Sequence, residues 1–97
     1  MKPRVTINLA SNGELEIWLN PEGRDPFVKE LQALSKRNEH FHMGTEDEYF
    51  EEIELSKLPY NPNDKILTWA QVLFRTDEWD RQYFPHVFGP ESEEESN

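Results

Sequence analysis

Two histidines spaced two positions apart are the residues of this sequence best placed for chemistry. His40 and His42 lie in an alternating segment, so both imidazoles are expected on one face of a β-strand. Glu52 and Glu54 have the same spacing in a segment that we expect to form a neighbouring strand. Two histidines and one carboxylate can hold a transition metal. The commoner arrangement is a pair of histidines that stacks on aromatic neighbours and needs no third ligand.

The densest charged segment is residues 46–54, which hold six acids and no base around two aromatic residues. Such a run is often a solvated strand edge that discourages aggregation. It can also capture a basic partner, because charge steers the encounter while aromatic side chains anchor the complex. The candidate partner-binding residues are Glu46, Asp47, Glu48, Tyr49, Phe50, Glu51, Glu52 and Glu54.

Signatures of an enzyme are missing from the sequence. It has no cysteine, no nucleophile elbow and no glycine-rich phosphate loop. Its twenty acidic side chains fall in no recognisable catalytic motif. We therefore predict a protein that is not an enzyme and that needs no cofactor or metal.

Three aromatic residues in the second half of the chain are expected in the core or at its edge. They are Trp69, Trp79 and Tyr83.

The charge balance indicates which classes of molecule are expected to bind this protein. Twenty Asp and Glu against ten Lys and Arg give a formal net charge of −10. Nucleic acids and anionic membranes attract basic surfaces, so neither is expected as a partner. A basic protein fits this charge, and so does a role in solubility alone. Without a long apolar run or a signal-like start, the sequence predicts a soluble, cytoplasmic protein.

Hydrophobic alternation predicts a β-hairpin near the start of the chain. Residues 4–10 alternate with a period of two, a turn containing Gly13 follows, and residues 15–19 resume the alternation. Trp18 falls on the opposite face from the aliphatic residues, together with Glu16. That face is expected to be either partly covered or exposed to a partner.

After the hairpin the period changes at Asn20-Pro21, a pair that is typical of a helix start. Asp25-Pro26 offers a second start a few residues later. A proline inside a helix crowds the preceding turn. We therefore expect a tight turn at residues 21–24 and the main helix from Pro26.

Three further strands and a short helix are predicted in the second half of the chain. Residues 40–43 and 49–56 alternate and form a second hairpin. Residues 66–75 are apolar on both faces, which favours a central strand. Thr76 is expected to cap a short helix over residues 77–84.

These elements, in the order ββαβββ, predict an α+β fold. We expect one antiparallel sheet of about five strands, with the main helix packed on one face and a short C-terminal helix. Residues 1–88 form a single domain in this prediction. Residues 89–97 are acidic and polar, so we expect a disordered tail.

Part of this pattern is similar to a known group of proteins. The similar stretches are residues 16–25 (EIWLNPEGRD), 28–35 and 40–42, with residues 72–80 and 84–85 later in the chain. They resemble the immunity proteins of bacterial polymorphic toxin systems, in the family numbered thirty-two among them.

The resemblance implies a cytoplasmic protein that binds a cognate toxin domain and blocks it stoichiometrically, without a cofactor. Nuclease toxins would suit an acidic inhibitor, since their basic grooves are built for phosphates that carboxylates can replace. We predict an immunity protein that binds through the acidic segment. Two alternatives are a small metal-binding domain that uses His40 and His42, and a structural homo-oligomeric module with no inhibitory role.

Overall fold

A computed structural model describes residues 2–45 and 51–90 of the 97-residue chain. This part has an α+β fold of six strands and two helices. They are β1 (Val5–Leu9), β2 (Leu15–Leu19), α1 (Pro21–Gln32), β3 (His40–Gly44), β4 (Ile53–Glu54), β5 (Lys65–Ile66), β6 (Trp69–Leu73) and α2 (Asp77–Tyr83), followed by a 3-10 helix at Pro85–Phe88.

The strands form two three-stranded sheets, whereas the sequence predicts a single sheet of about five. The first sheet has the order β2-β1-β5 and is antiparallel. The second sheet has the order β4-β3-β6, with β6 antiparallel and β4 parallel to β3. The hairpin predicted from residues 40–43 and 49–56 is therefore wrong. Alternation determines which face a side chain takes, but it does not determine the direction of the neighbouring strand.

The long strand predicted at residues 66–75 is divided between the two sheets. Leu67 N–H donates to the Ile7 carbonyl at 2.9 Å, and the Thr68 carbonyl accepts from Thr45 N–H at 3.1 Å. The chain thus leaves β1 and joins β3 within two residues. This change of sheet explains the apolar residues of both parities, and it makes β6 an edge strand instead of a central one.

The predicted first hairpin is confirmed. β1 and β2 pair antiparallel with Ile7 opposite Ile17. Gly13 in the connecting turn has a φ of 90°, which glycine adopts without steric cost. β1 is the central strand, and both faces of it are buried from Val5 to Asn8.

Side chains from both sheets form the core. The buried apolar residues are Val5, Ile7, Phe41, Met43, Ile53 and Leu55. Phe27 of α1 meets Phe41 edge to face, with ring centroids 6.0 Å apart. The helix is thereby held against β3 of the second sheet.

Helix α1 begins at Pro21 and continues through Pro26, so the prediction of a main helix from Pro26 is wrong. Asn20 is the N-cap that makes the helix begin at Pro21. Its Oδ1 accepts from Gly23 N–H at 2.7 Å, and its carbonyl accepts from Arg24 N–H at 2.8 Å. Pro26 lacks a backbone N–H, so the helix has one donor fewer at this position, and α1 nevertheless continues to Gln32.

The predicted short helix is confirmed as α2. Thr76 caps it by accepting a hydrogen bond from Trp79 N–H at 3.2 Å. Pro85 starts the 3-10 helix that follows. Within the described ranges, neither α1 nor α2 has the length and apolar character needed to cross a bilayer.

Candidate functional site

Only part of the predicted acidic segment belongs to the described residues. The members outside them are Glu46, Asp47, Glu48, Tyr49 and Phe50. Glu51, Glu52 and Glu54 lie in or directly before β4, the edge strand of the second sheet. The role predicted for the segment as a whole stays a prediction.

The three described acids of this segment differ in how freely they can meet a partner. Glu52 is exposed, but its Oε2 accepts from the His42 backbone N–H at 2.7 Å. Glu51 is half-buried, and its Oε2 is buried with no hydrogen-bond partner among the described residues. Glu54 is exposed and makes no side-chain hydrogen bond or ion pair within those residues. Of the three, Glu54 is the carboxylate that is free to bind.

His40 and His42 share the outer face of β3, as the sequence predicts. Their ring centroids are 4.9 Å apart and the rings meet edge to face at 79°. His42 also stacks on Trp69, with centroids 5.3 Å apart and planes 26° apart. Across residues 2–45 and 51–90, no group of three or more His, Asp or Glu is placed to hold a metal ion. The contacts favour aromatic stacking as the role of the pair.

Two aromatic residues expected in or near the core are instead exposed. Trp69 lies on the outer face of the second sheet and Tyr83 lies on α2, with 44% and 56% of their surfaces exposed. Trp69 sits close to Gly44, where an added Cβ would come within 2.5 Å of the indole ring. Trp79 is half-buried, in agreement with the prediction.

The first sheet carries a second exposed aromatic pair. The rings of Trp18 and Tyr60 stack with centroids 4.1 Å apart and planes 11° apart, while 37% and 44% of their surfaces remain exposed. Trp18 belongs to β2, and Tyr60 belongs to the connection between β4 and β5. The sequence identified the face of Trp18 as covered or partner-facing but assigned no role to Tyr60. The nearby Pro59 and Pro62 were the sequence signal that Tyr60 has a fixed position, because proline restricts the backbone of a loop.

Two carboxylates lie beside this pair and share one buried amide. Asn8 is fully buried, and its Nδ2 donates to Glu16 Oε1 at 3.0 Å and to Asp64 Oδ2 at 2.9 Å. Glu16 Oε1 also accepts from the Trp18 indole N–H at 3.3 Å, and Asp64 Oδ2 accepts from Asn61 Nδ2 at 3.2 Å. The two carboxylates are therefore held close together at fixed positions.

Neither carboxylate has a basic partner in the described part of the chain. The ion pairs there join Arg24 to Asp25 and Arg75 to Glu39. The second oxygens of Glu16 and Asp64 accept no hydrogen bond from the described residues. We call Trp18, Tyr60, Glu16 and Asp64 the aromatic-acid surface. Its like charges repel, so a cation placed between them would be stabilised by both.

A cavity of about 320 Å³ beside α2 is a weaker candidate. Lys36 and Arg75 are the cations in its lining, and Arg75 Nη1 lies 2.9 Å from Glu39 Oε2 and 2.7 Å from the Phe74 carbonyl. The guanidinium also lies 4.8 Å from the centroid of the Trp79 ring. These contacts connect α2 to the second sheet, so the Arg75 guanidinium is already engaged.

Comparison with known proteins identified no relative of this chain. No family model, curated protein or solved structure matches this chain. The chemistry of the aromatic-acid surface is therefore the main support for a function.

Proposed function

We propose that this chain is an immunity protein: a cytoplasmic bacterial protein, without enzymatic activity, that binds a cognate toxin domain and blocks it. The aromatic-acid surface is the observation that carries this proposal. It combines exposed, rigid aromatic rings with two fixed carboxylates that lack a basic partner among the described residues. Such a surface suits a basic protein and does not suit a nucleic acid or an anionic membrane.

Each part of the surface has a distinct role in capturing a partner. The negative charge of the chain attracts a basic toxin and raises the association rate. The carboxylates of Glu16 and Asp64 then accept hydrogen bonds from Lys or Arg side chains, and such charge-assisted bonds are the stronger ones. Trp18 and Tyr60 provide the apolar area that slows dissociation, as aromatic anchors commonly do at interfaces.

A nuclease is the toxin class that these features fit best. Its active site must bind phosphates, so basic groups line it in the free toxin. The paired carboxylates of the aromatic-acid surface would occupy positions that phosphates take in the substrate complex. In the sequence, the acidic segment at residues 46–54 comes shortly before the connection that contains Tyr60, and its Glu54 has no side-chain partner among the described residues.

Growth rescue tests this proposal when the gene beside that of this chain encodes a toxin. The toxin domain is expressed in a host alone, with the unaltered chain, or with a double variant that carries Glu16→Gln and Asp64→Asn. These amides keep an oxygen that can accept from Asn8 Nδ2 but remove both charges. Rescue by the unaltered chain that the double variant loses is the expected result.

A matched control removes two charges elsewhere, through Asp25→Asn and Glu78→Gln on exposed positions of α1 and α2. We expect this control to rescue growth fully. Rescue by the Glu16→Gln, Asp64→Asn variant would move the interface to another surface, and Glu54→Lys would then test the acidic segment. No rescue by the unaltered chain would overturn the proposal for that toxin.

A further inference from the structure

β2 is an edge strand with an unusually apolar exposed face. Leu15, Ile17 and Leu19 point to the same side, and 57%, 49% and 41% of their surfaces are exposed. An apolar edge of this kind is a template for pairing with another strand, and natural proteins usually protect it with charge, proline or a covering element. None of these devices lies within β2 on the side of the three aliphatic residues.

Among the described residues, β2 also has no strand paired with the backbone on its outer side. The hydrogen bonds that flank the hairpin ladder join Ala10 N–H to the Glu14 carbonyl at 2.8 Å and Asn20 N–H to the Arg4 carbonyl at 3.2 Å. Hydrogen-bonded pairs alternate along an antiparallel ladder. The even-numbered residues of β2 therefore bond to β1, and the N–H and C=O groups of residues 15, 17 and 19 point away from it.

We propose that β2 pairs antiparallel with β2 of a second copy of this chain, on a two-fold axis at Ile17. In this register Ile17 lies opposite Ile17 of the second copy, and Leu15 lies opposite Leu19. All outward backbone groups of residues 15, 17 and 19 are then matched in hydrogen-bonded pairs. The first sheets of the two copies then become one six-stranded sheet, and the exposed aliphatic side chains form a continuous stripe across the junction.

Charge and strand length favour this register over its neighbours. With the axis at Ile17, Glu16 lies opposite Trp18 of the second copy, so no two carboxylates of β2 lie directly opposite each other. Moving the axis to position 16 would place Glu16 opposite Glu16, and like charges directly opposite are destabilising. Moving it to position 18 would leave Leu15 opposite no residue of the second β2. The register at Ile17 pairs all five residues and opposes no like charges.

This pairing and toxin binding respond to salt in opposite directions. Each copy carries a formal net charge of −10, so added salt screens repulsion between the copies and strengthens the dimer. Capture of a basic toxin is weakened by salt. The side chains of Trp18 and Glu16 lie on the opposite face from the aliphatic stripe, so the dimer presents two aromatic-acid surfaces on one side.

Sedimentation measurements on the intact chain and two variants test the proposal. Protein concentrations from about 1 µM to about 500 µM are needed, since a small interface binds weakly. We expect the unaltered chain to dimerise, and Ile17→Lys and Ile17→Glu each to be monomeric because like charges meet on the axis. An equimolar mixture of the two variants should recover the dimer, since residue 17 faces itself only in this register. Val87→Lys, at an exposed apolar position near the C-terminus, is the control and should dimerise normally.

Three results would overturn the proposal: an unaltered chain that stays monomeric, variants that still dimerise, or a mixture that fails to recover the dimer. Amide hydrogen exchange of the unaltered chain provides a test without substitutions. The N–H groups of Leu15, Ile17 and Leu19 should gain protection as protein concentration rises. Exchange at these positions that is independent of concentration would also contradict the pairing.

Discussion

The indole ring of Trp18 stacks on the phenol ring of Tyr60, with centroids 4.1 Å apart and planes 11° apart. This contact holds the irregular connection between β4 and β5 against β2 of the first sheet. A ring that is already ordered loses less conformational entropy on binding. The stack therefore gives the aromatic-acid surface a preformed anchor beside the carboxylates of Glu16 and Asp64.

Removing the shared amide should destabilise the protein. Asn8→Ala deletes the two hydrogen bonds that hold the carboxylates of Glu16 and Asp64 close together, and it leaves their mutual repulsion uncompensated. We expect a loss of about 1–3 kcal/mol in the free energy of unfolding, and added salt should recover part of it by screening the repulsion. Urea denaturation measures this loss. Asn63→Ala, at an exposed loop position, is the control, and an equal loss there would contradict the account of Asn8.

The cap at Asn20 should be worth about as much as a typical helix N-cap. Its Oδ1 accepts from both Gly23 N–H and Arg4 N–H, and its Nδ2 donates to the Lys2 carbonyl at 2.9 Å. Asn20→Ala should therefore lower the free energy of unfolding by roughly 1–2 kcal/mol. Asn20→Asp keeps the acceptor and places a negative charge at the helix N-terminus, so its loss should be smaller. Equal losses in thermal unfolding of the two variants would show that the cap is not the cause.

A larger residue at Gly23 should destabilise the protein. It is buried in the first turn of α1, where an added Cβ would collide with the Arg4 carbonyl oxygen. Because backbone cannot move aside as a flexible side chain can, Gly23→Ala should cost roughly 1–3 kcal/mol despite the better helix propensity of alanine. Gln32→Ala, exposed at the end of the same helix, should change stability by less than about 0.5 kcal/mol. A more stable Gly23→Ala variant would contradict this packing.

Zinc should leave the thermal stability of the chain unchanged. The ring of His42 stacks on Trp69, and the described residues place no third ligand beside His40 and His42. A ligand that binds only the folded state raises Tm. Thermal scans with and without Zn²⁺ would therefore separate stacking from metal binding. A rise in Tm that disappears in His42→Ala would revive the metal-binding alternative.

Some of the fold could be predicted because it depends on local chemistry. The alternation of Val5 and Ile7, followed by Gly13 in the turn, is enough to give the first hairpin. Thr76 gives the start of α2 for a similar reason, since its hydroxyl caps the adjacent turn. Each of these features depends on residues that are close in the sequence.

Long-range pairing accounts for what could not be predicted. The parallel pairing of Met43 with Ile53 involves a strand direction that alternation does not encode. The division of residues 66–75 depends on which strand offers free backbone groups at each position. The stack of Tyr60 on Trp18 likewise joins residues whose separation in the sequence carries no periodic signal. The aromatic-acid surface depends on such long-range contacts, so the sequence alone did not predict it.

The affinity of the purified chain for its toxin domain tests the central claim most directly. Tyr60→Ala removes half of the Trp18–Tyr60 stack, and Tyr83→Ala makes the same change at an exposed position on α2. If the aromatic-acid surface binds the toxin, Tyr60→Ala should raise Kd by at least about 30-fold, the effect of an anchoring aromatic worth about 2 kcal/mol. Tyr83→Ala should leave Kd unchanged. A tight complex in which Tyr60→Ala binds as well as the unaltered chain would contradict the account.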